Sequence, residues 1–445
     1  MTMTDQPNDA LRRTLGLGSA VALVVGEVVG VGIFLTPANM ARSLGSPFWL
    51  LIVWLVMGVM ALSGALCYGE LASRFPEAGG GYVYLRKAFG PTTAFLYGWQ
   101  CLIVMDPGLT AALAIGLASY VSYATGLTPR MERVVAIGAI GCLAAVNIRG
   151  LRFGAVVLRA FTLLKLVLVG GLIGWGFALQ LGDWRHFVPF VAQRPGSAPL
   201  PVALAGGLVA AFFSFGGWWD SAKLAGEVKD PARTLPRSLV LGVTIVLLLY
   251  ILTSAVFLYL VPVERVASGE AFAAQAGEVL FGRAGGRIFA WIVCISVVSS
   301  LSSLMMAAPR VYYAMARDGV FPAGMAAVHR RFGTPVRATL LQSVLASILV
   351  LVGTFSQIIA YFIFVTVGFV ALTVAAVFVL RRTDTATAGY RMPAYPLPVL
   401  IFLALVLVLL ILLAGQAPFQ AALGVAAVAL GYPVYRLAFR RASPP

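Results

Sequence analysis

The stretch Val24-Val25-Gly26-Glu27-Val28-Val29-Gly30-Val31-Gly32-Ile33-Phe34 interrupts an apolar segment that runs over residues 15–40. Three glycines and a carboxylate stand where a membrane-spanning helix would otherwise continue. Glycine weakens a helix interior and tolerates open backbone. Within hydrocarbon, open backbone survives only where it is buried in protein or lines a cavity. The stretch therefore predicts a first span that breaks near residues 26–32 and meets something polar there. A second stretch has the same character, Phe212-Phe213-Ser214-Phe215-Gly216-Gly217-Trp218-Trp219-Asp220.

Composition places both breaks inside a membrane. Of 445 residues, 60% are hydrophobic and 11% charged, and mean hydropathy is +0.94. Repeated apolar runs of about twenty residues are the signature of spanning helices. The net charge of +16 is spread over short loops instead of gathering on one patch, which argues against nucleic acid as a partner. Arg12-Arg13 before an apolar run resembles a signal peptide, but the run contains Glu27 and continues past residue 30, so it reads as the first span. Cys67, Cys101, Cys142 and Cys294 form no CxxC or CxxH pair, so they read as small buried packing residues, with no metal or cofactor implied.

The pattern predicts an all-α membrane protein with twelve spans. These cover residues 15–40, 47–73, 91–120, 132–146, 153–180, 201–225, 238–261, 285–315, 337–353, 357–380, 396–413 and 419–437, after a polar tail over 1–14. Residues 264–283 read as an interfacial loop. With that alternation, Arg12, Arg13, Arg86, Lys87, Arg149, Arg152, Arg233, Arg237, Arg330 and Arg331 share the side of the N-terminus. The opposite side is poorer in basic residues, so both termini are expected in the cytoplasm. Spans 1–5 (15–181) and 6–10 (200–381) each begin with a broken helix, and spans 11 and 12 (396–437) follow. Five is odd, so the second unit enters from the opposite face. Paired breaks in an inverted repeat point to a ligand site at the repeat interface, as in secondary carriers.

The chemistry of such a site follows from helix ends. The half-helix after Gly30-Val31-Gly32-Ile33 begins with free N–H groups at a positive dipole end, which suit a carboxylate. The carbonyls of Phe212, Phe213 and Ser214 close the half-helix before Gly216 and suit an ammonium. Both ends together fit an amino acid. The competing view is that the glycines only allow close helix packing.

The resemblance to a known family rests on several motifs. Gly26-x-x-x-Gly30-x-Gly32-Ile33-Phe34-x-x-Pro37, Phe215-Gly216-Gly217-Trp218 and Gly226-Glu227-Val228-Lys229-Asp230-Pro231 stand in the broken spans and the loop that follows. Phe75-Pro76-Glu77-Ala78-Gly79-Gly80 and Ala316-Arg317-Asp318-Gly319 accompany them. Together they resemble the L-amino acid transporter (LAT-like) branch of the amino acid–polyamine–organocation superfamily, over residues 15 to about 390. The resemblance implies the leucine-transporter fold, with amino acid exchange or proton-linked uptake. It makes Phe215 an aromatic lid, with Trp218 beside it.

Lys165 falls mid-span in 153–180. A lysine at that depth is costly and marks function. It resembles the family's lysine whose ammonium stands where sodium-coupled relatives hold a sodium ion. That implies a sodium-independent carrier in which Lys165 ties the first break to the eighth span through Ser299 or Ser300. The plainer alternative pairs Lys165 with Glu27 or Asp106. Those two acids depart from the family pattern. Each can be a proton-coupling carboxylate, a counter-charge for a cationic substrate, or a partner of Lys165. Asp220, Lys223 and Glu227 read as a salt-bridge ladder at i, i+3 and i+7.

Mammalian-type relatives bond a heavy subunit through a cysteine between spans 3 and 4. The corresponding loop has none, so no disulfide-linked partner is expected. The leading expectation is an amino acid carrier of a bacterial-type plasma membrane. A polyamine or cationic amine carrier is the alternative within the class. A channel or nutrient sensor on the same fold is the alternative outside it. No hydrophilic catalytic cluster suggests an enzyme.

Overall fold

The structure, a computed structural model, describes residues 11–30, 32–262, 272–353, 355–383, 389–416 and 418–439. Every regular element among them is helical, and the single extended contact is an isolated parallel bridge between Leu15 and Val228. The first apolar segment is split into α1 (Leu17–Val28) and α2 (Gly32–Leu44). Then come α3 (Pro47–Arg74), a short α4 (Gly81–Phe89), and α5 (Pro91–Gln100), which passes through a π-helical turn at Cys101–Met105 into α6 (Asp106–Thr125). Next are α7 (Pro129–Ile148), α8 (Leu151–Ala178) and α9 (Leu200–Phe215), which stops at Gly216 and resumes as a 3₁₀ helix, Trp218–Glu227. The chain continues through α10 (Pro231–Leu260), α11 (Phe272–Phe281), α12 (Gly285–Ala307), α13 (Pro309–Arg317), α14 (Val336–Val352), α15 (Phe355–Thr383), α16 (Leu397–Gln416) and α17 (Pro418–Ala429).

Proline opens α3, α5, α7, α10, α13 and α17. It lacks an N–H that the first turn would leave unpaired anyway, and its fixed φ suits a helix start. Ten helical stretches among the described residues are long and apolar enough to cross a bilayer. The two halves of the first span, at 12 and 13 residues, and α14, at 17, are shorter.

Burial sorts the helices into an inner and an outer set. The stretches Pro91–Thr125 and Gly285–Arg317 are mostly enclosed, whereas α7, α8 and Pro418–Phe439 turn most of their surface outward. The outward faces carry Leu163, Val167, Leu407 and Ile411, side chains that need a hydrocarbon solvent. Inside, α1 packs on α8, α10 and α12, and α2 packs on α9. Gly242 of α10 permits this, since a Cβ there would come within 2.5 Å of Val24.

Two expectations need correction. The 264–283 stretch is not all loop: it holds α11, which packs on α12, while 263–271 lie outside the described residues. Cys142 is exposed on α7 while the other three cysteines are buried. A helix apolar on every side does not reveal from sequence which face turns inward.

Candidate functional site

The two interruptions touch. A Cβ on Gly32 would lie 2.8 Å from the Ser214 Cα, so main chain meets main chain and only glycine fits. Ser214 Oγ lies 2.9 Å from Thr36 Oγ1. At the second break Gly217 adopts φ +108°, a left-handed conformation that costs glycine little. A Cβ at Gly217 would meet Glu27 Cγ at 2.8 Å, so the carboxylate side chain of the first break lies across the second.

The carbonyls released by the end of α1 are held by side chains. Lys165 of α8, wholly buried, donates to the Gly26 carbonyl at 2.8 Å, to the Val29 carbonyl, and to Ser300 Oγ at 3.3 Å. A cation at a helix C-terminus is favoured by the dipole. Ser296 Oγ adds a bond to Val29 O at 2.9 Å, and Ser300 Oγ lies 2.6 Å from Gly26 O. The Tyr250 hydroxyl of α10 lies 2.8 Å from Val28 O and 2.7 Å from Ser214 O. It has one proton for the two carbonyls, so it links both breaks while leaving one acceptor open at any instant.

A buried charged group occupies the other side. Lys223 Nζ donates to Asp106 Oδ1 at 2.8 Å and lies 2.9 Å from Asp220 Oδ1. The latter contact is too poorly aligned to be a hydrogen bond, and both Asp220 oxygens lack a donor. Tyr312 donates to Asp106 Oδ2 at 3.1 Å. Glu27 Oε2 accepts from Ser303 at 3.3 Å, while its Oε1 is buried without a partner. Asp106 and Asp220 thus share the Lys223 ammonium. A cavity of about 30 Å³, lined by Phe212, Phe213, Gly216, Gly217, Trp219 and Asp220 among others, adjoins them. It is large enough to hold a water.

The site residues singled out from sequence fall as follows. Gly32 and Ser214 make the contact between the breaks, whereas a Cβ on Gly30 would meet Ser300 Oγ at 3.2 Å; Ile33 is buried, Phe212 and Phe213 line the small cavity beside Asp220, and Val31 lies outside the described residues. Phe215 packs between Trp54 and Tyr250, with ring centroids at 5.9 and 5.0 Å. Trp218 packs edge-on against Tyr68 at 5.2 Å. Ser300 is the serine beside Lys165, whereas Ser299 bonds Thr162 at 3.0 Å. Lys165 pairs with neither Glu27 nor Asp106. The Ser214 carbonyl is not free, because it shares the single Tyr250 hydroxyl proton with Val28 O.

The 220/223/227 ladder is also corrected. Glu227 pairs with Arg310 of α13 at 2.7 Å, away from Lys223. The segment is a 3₁₀ helix with three residues per turn, so positions 220 and 223 align and 227 does not. Sequence reasoning missed Tyr250, Tyr312, Ser296 and Ser303. A lone tyrosine inside the apolar run Val246-Leu247-Leu248-Leu249-Tyr250, and serines at 296, 299, 300, 302 and 303, were the available signals. The π turn just before Asp106, a feature frequent at functional sites, left no such trace.

Residues 15–430 match the family model described as amino acid permease. The chain is 30% identical over 398 residues to the serine/threonine exchanger SteT of Bacillus subtilis (strain 168), covering 88% of this chain and 89% of that protein. It is 30% identical to the b(0,+)-type amino acid transporter 1 of Oryctolagus cuniculus, covering 85% and 78%. It is 28% identical to the large neutral amino acids transporter small subunit 2 of Homo sapiens, covering 96% and 81%.

Proposed function

Because the chain belongs to the amino acid permease family, in the LAT-like branch of the amino acid–polyamine–organocation superfamily, we propose that it is a sodium-independent secondary carrier of L-amino acids. Its relatives are transporters. The observation that carries the reading is the contact of two helix interruptions, with a lysine ammonium on the carbonyls of the first. The N–H groups that begin α2 offer a carboxylate a positive helix end. The Lys165 ammonium supplies, as a fixed side chain, the charge that a sodium ion would otherwise bring to the same carbonyls.

The transport cycle we propose is alternating access across a twelve-span fold, with repeats 15–181 and 200–381, spans 11 and 12 over 396–437, and both termini in the cytoplasm of a bacterial-type plasma membrane. The ten long apolar helices, with the split first span and α14 added, support that number. The chain acts without a disulfide-linked subunit, in keeping with a loop between α6 and α7 that holds only Gly126, Leu127 and Thr128. Counterflow in proteoliposomes tests the carrier. Labelled amino acid enters faster when unlabelled amino acid is inside and sodium is absent on both sides. Flux that ignores the internal amino acid would indicate a channel, and binding without flux a sensor.

A second reading concerns coupling, and it is favoured by Glu27 Oε1 and both Asp220 oxygens being buried without a hydrogen-bond donor. Buried carboxyls that lack a donor are satisfied either by a proton or by a cationic group of the substrate. Uptake driven by an imposed pH gradient supports the proton. Competition by basic amino acids or diamines supports the substrate cation.

A further inference from the structure

A cavity of about 370 Å³ opens at the end of the molecule that carries the start of α1. Three separate segments converge on it: Arg12 and Thr14 ahead of α1, Arg149 and Arg152 at the turn into α8, and His329, Arg330 and Arg331 in the loop before α14. Among the described residues none of these five guanidiniums forms an ion pair. The one acid in the lining, Glu227, is committed to Arg310 through both oxygens, at 2.7 and 3.2 Å. His329 Nδ1 accepts from the N–H groups of Arg331 and Phe332 at 3.2 and 3.4 Å, which places a neutral ring's proton on Nε2 as a further donor. The 28-residue α8 begins here at Leu151 with no side-chain cap, so its first N–H groups face the same space. Thr14 Oγ1 is buried there without a partner.

Loop arginines on one side of a membrane are ordinary. Convergence on one cavity, onto an uncapped helix start and an orphaned hydroxyl, is not explained by that preference. The volume exceeds what a lone phosphate needs and falls within the range of ligand pockets. What adjoins it is mostly apolar, with Arg159 and Thr162 its polar members. Phe153 lines this cavity, and Val156, one turn along α8, lines a second one of about 510 Å³. That groove runs between α1 (Gly18, Val21, Val25) and α8 (Val156, Ala160, Leu163). Phe153, Val156, Leu163 and Val167 all turn outward on α8.

We infer that the two cavities form one binding site for an anionic phospholipid, its phosphate among the arginines and an acyl chain in the groove between α1 and α8. The lipid fastens the segment ahead of the first break to the α7–α8 turn. That segment is already clipped beside the second break by Thr14 and Leu15 N–H bonds to Glu227 O, at 2.8 and 3.0 Å.

Purified full-length protein is placed in nanodiscs of phosphatidylcholine alone, of phosphatidylcholine with phosphatidylglycerol, and of phosphatidylcholine with added inorganic phosphate. Retained lipid is counted by native mass spectrometry and Tm is followed. Wild type retains phosphatidylglycerol preferentially and melts higher with it. R152Q/R331Q loses about twenty-fivefold in apparent affinity, at about fivefold for each basic side chain removed beside a charged lipid. Ala160→Trp fills the groove and lowers retention with the arginines intact. R185Q, an exposed arginine outside the site, changes neither readout. Inorganic phosphate matching the full stabilisation, with Ala160→Trp silent, would reassign the site to free phosphate and overturn the lipid. Equal retention of both lipids by wild type, or a loss in R185Q equal to that of the double variant, would overturn the site itself. Binding is read without transport, so the outcome is separate from that of the carrier reading.

Discussion

The side-chain ammonium of Lys165 lies 2.8 Å from the carbonyl oxygen of Gly26. Residues 139 positions apart in the chain thereby join the interior of α8 to the end of α1. Replacing Lys165 with alanine removes the charged donor from the buried carbonyls of Gly26 and Val29, leaving Ser300 on the first and Ser296 on the second, at about 1.5–3 kcal/mol for each charged hydrogen bond lost. We expect a lower Tm and at least a tenfold loss (about 1.4 kcal/mol) of counterflow. A Lys165→Ala protein with unchanged turnover and affinity would refute the role given to this lysine.

Tyr250→Phe keeps the ring packed on Trp54 and Phe215 and removes only the hydroxyl between Val28 O and Ser214 O. Stability is expected to drop by about 1–2 kcal/mol, and substrate affinity to weaken because the two breaks lose their shared donor. Calorimetric titration beside a melting curve separates the two effects. A shift in melting alone would make Tyr250 a packing residue.

Gly32→Ala sets a methyl 2.8 Å from the Ser214 Cα. Backbone cannot yield as a flexible side chain can, so transport should fall sharply. Gly138→Ala, where a Cβ meets nothing within 4 Å, should be neutral or slightly stabilising. Equal activity in both variants would show that the close approach of the breaks is incidental.

Glu27→Gln keeps the side chain's size and removes its charge. If Glu27 and Asp220 take up a proton, uptake in the variant no longer follows an imposed pH gradient. If they receive a cationic substrate group, inhibition by basic amino acids disappears while uptake of neutral ones remains. A variant that keeps both properties would release Glu27 from either role.

Arg310→Ala strands the Glu227 carboxylate in a buried position and is expected to cost about 3–5 kcal/mol. Removing both partners, with Glu227→Gln added, should recover part of that loss. The check is a double-mutant cycle on Tm. Simple additivity would show that the 2.7 Å pair contributes no coupling between the second break and α13.

The helical class, the places where two spans give way, and the place of Lys165 inside a long apolar helix are all visible in the chain, because each is a local departure from apolar monotony. Gly26, Gly30, Gly32, Gly216 and Gly217 stand out only because their neighbours are uniformly apolar. Partner choice is different. Nothing near Asp106 in sequence points to Lys223, 117 positions away, and nothing at Glu227 points to Arg310. The ladder expected at 220, 223 and 227 failed because local conformation, three residues per turn, decides which side chains align, and a charged sequence does not announce a 3₁₀ helix.

Sequence alone determined the solvent of this protein and the positions of its two interruptions, since hydrophobicity and glycine placement act over a few residues and need no tertiary context. Only the folded chain decided what each buried charge touches. A carboxylate or ammonium removed from water takes whichever counter-charge or carbonyl the packing of distant helices brings within about 3 Å, and that proximity is set by the crossings of α1, α8, α10 and the second break.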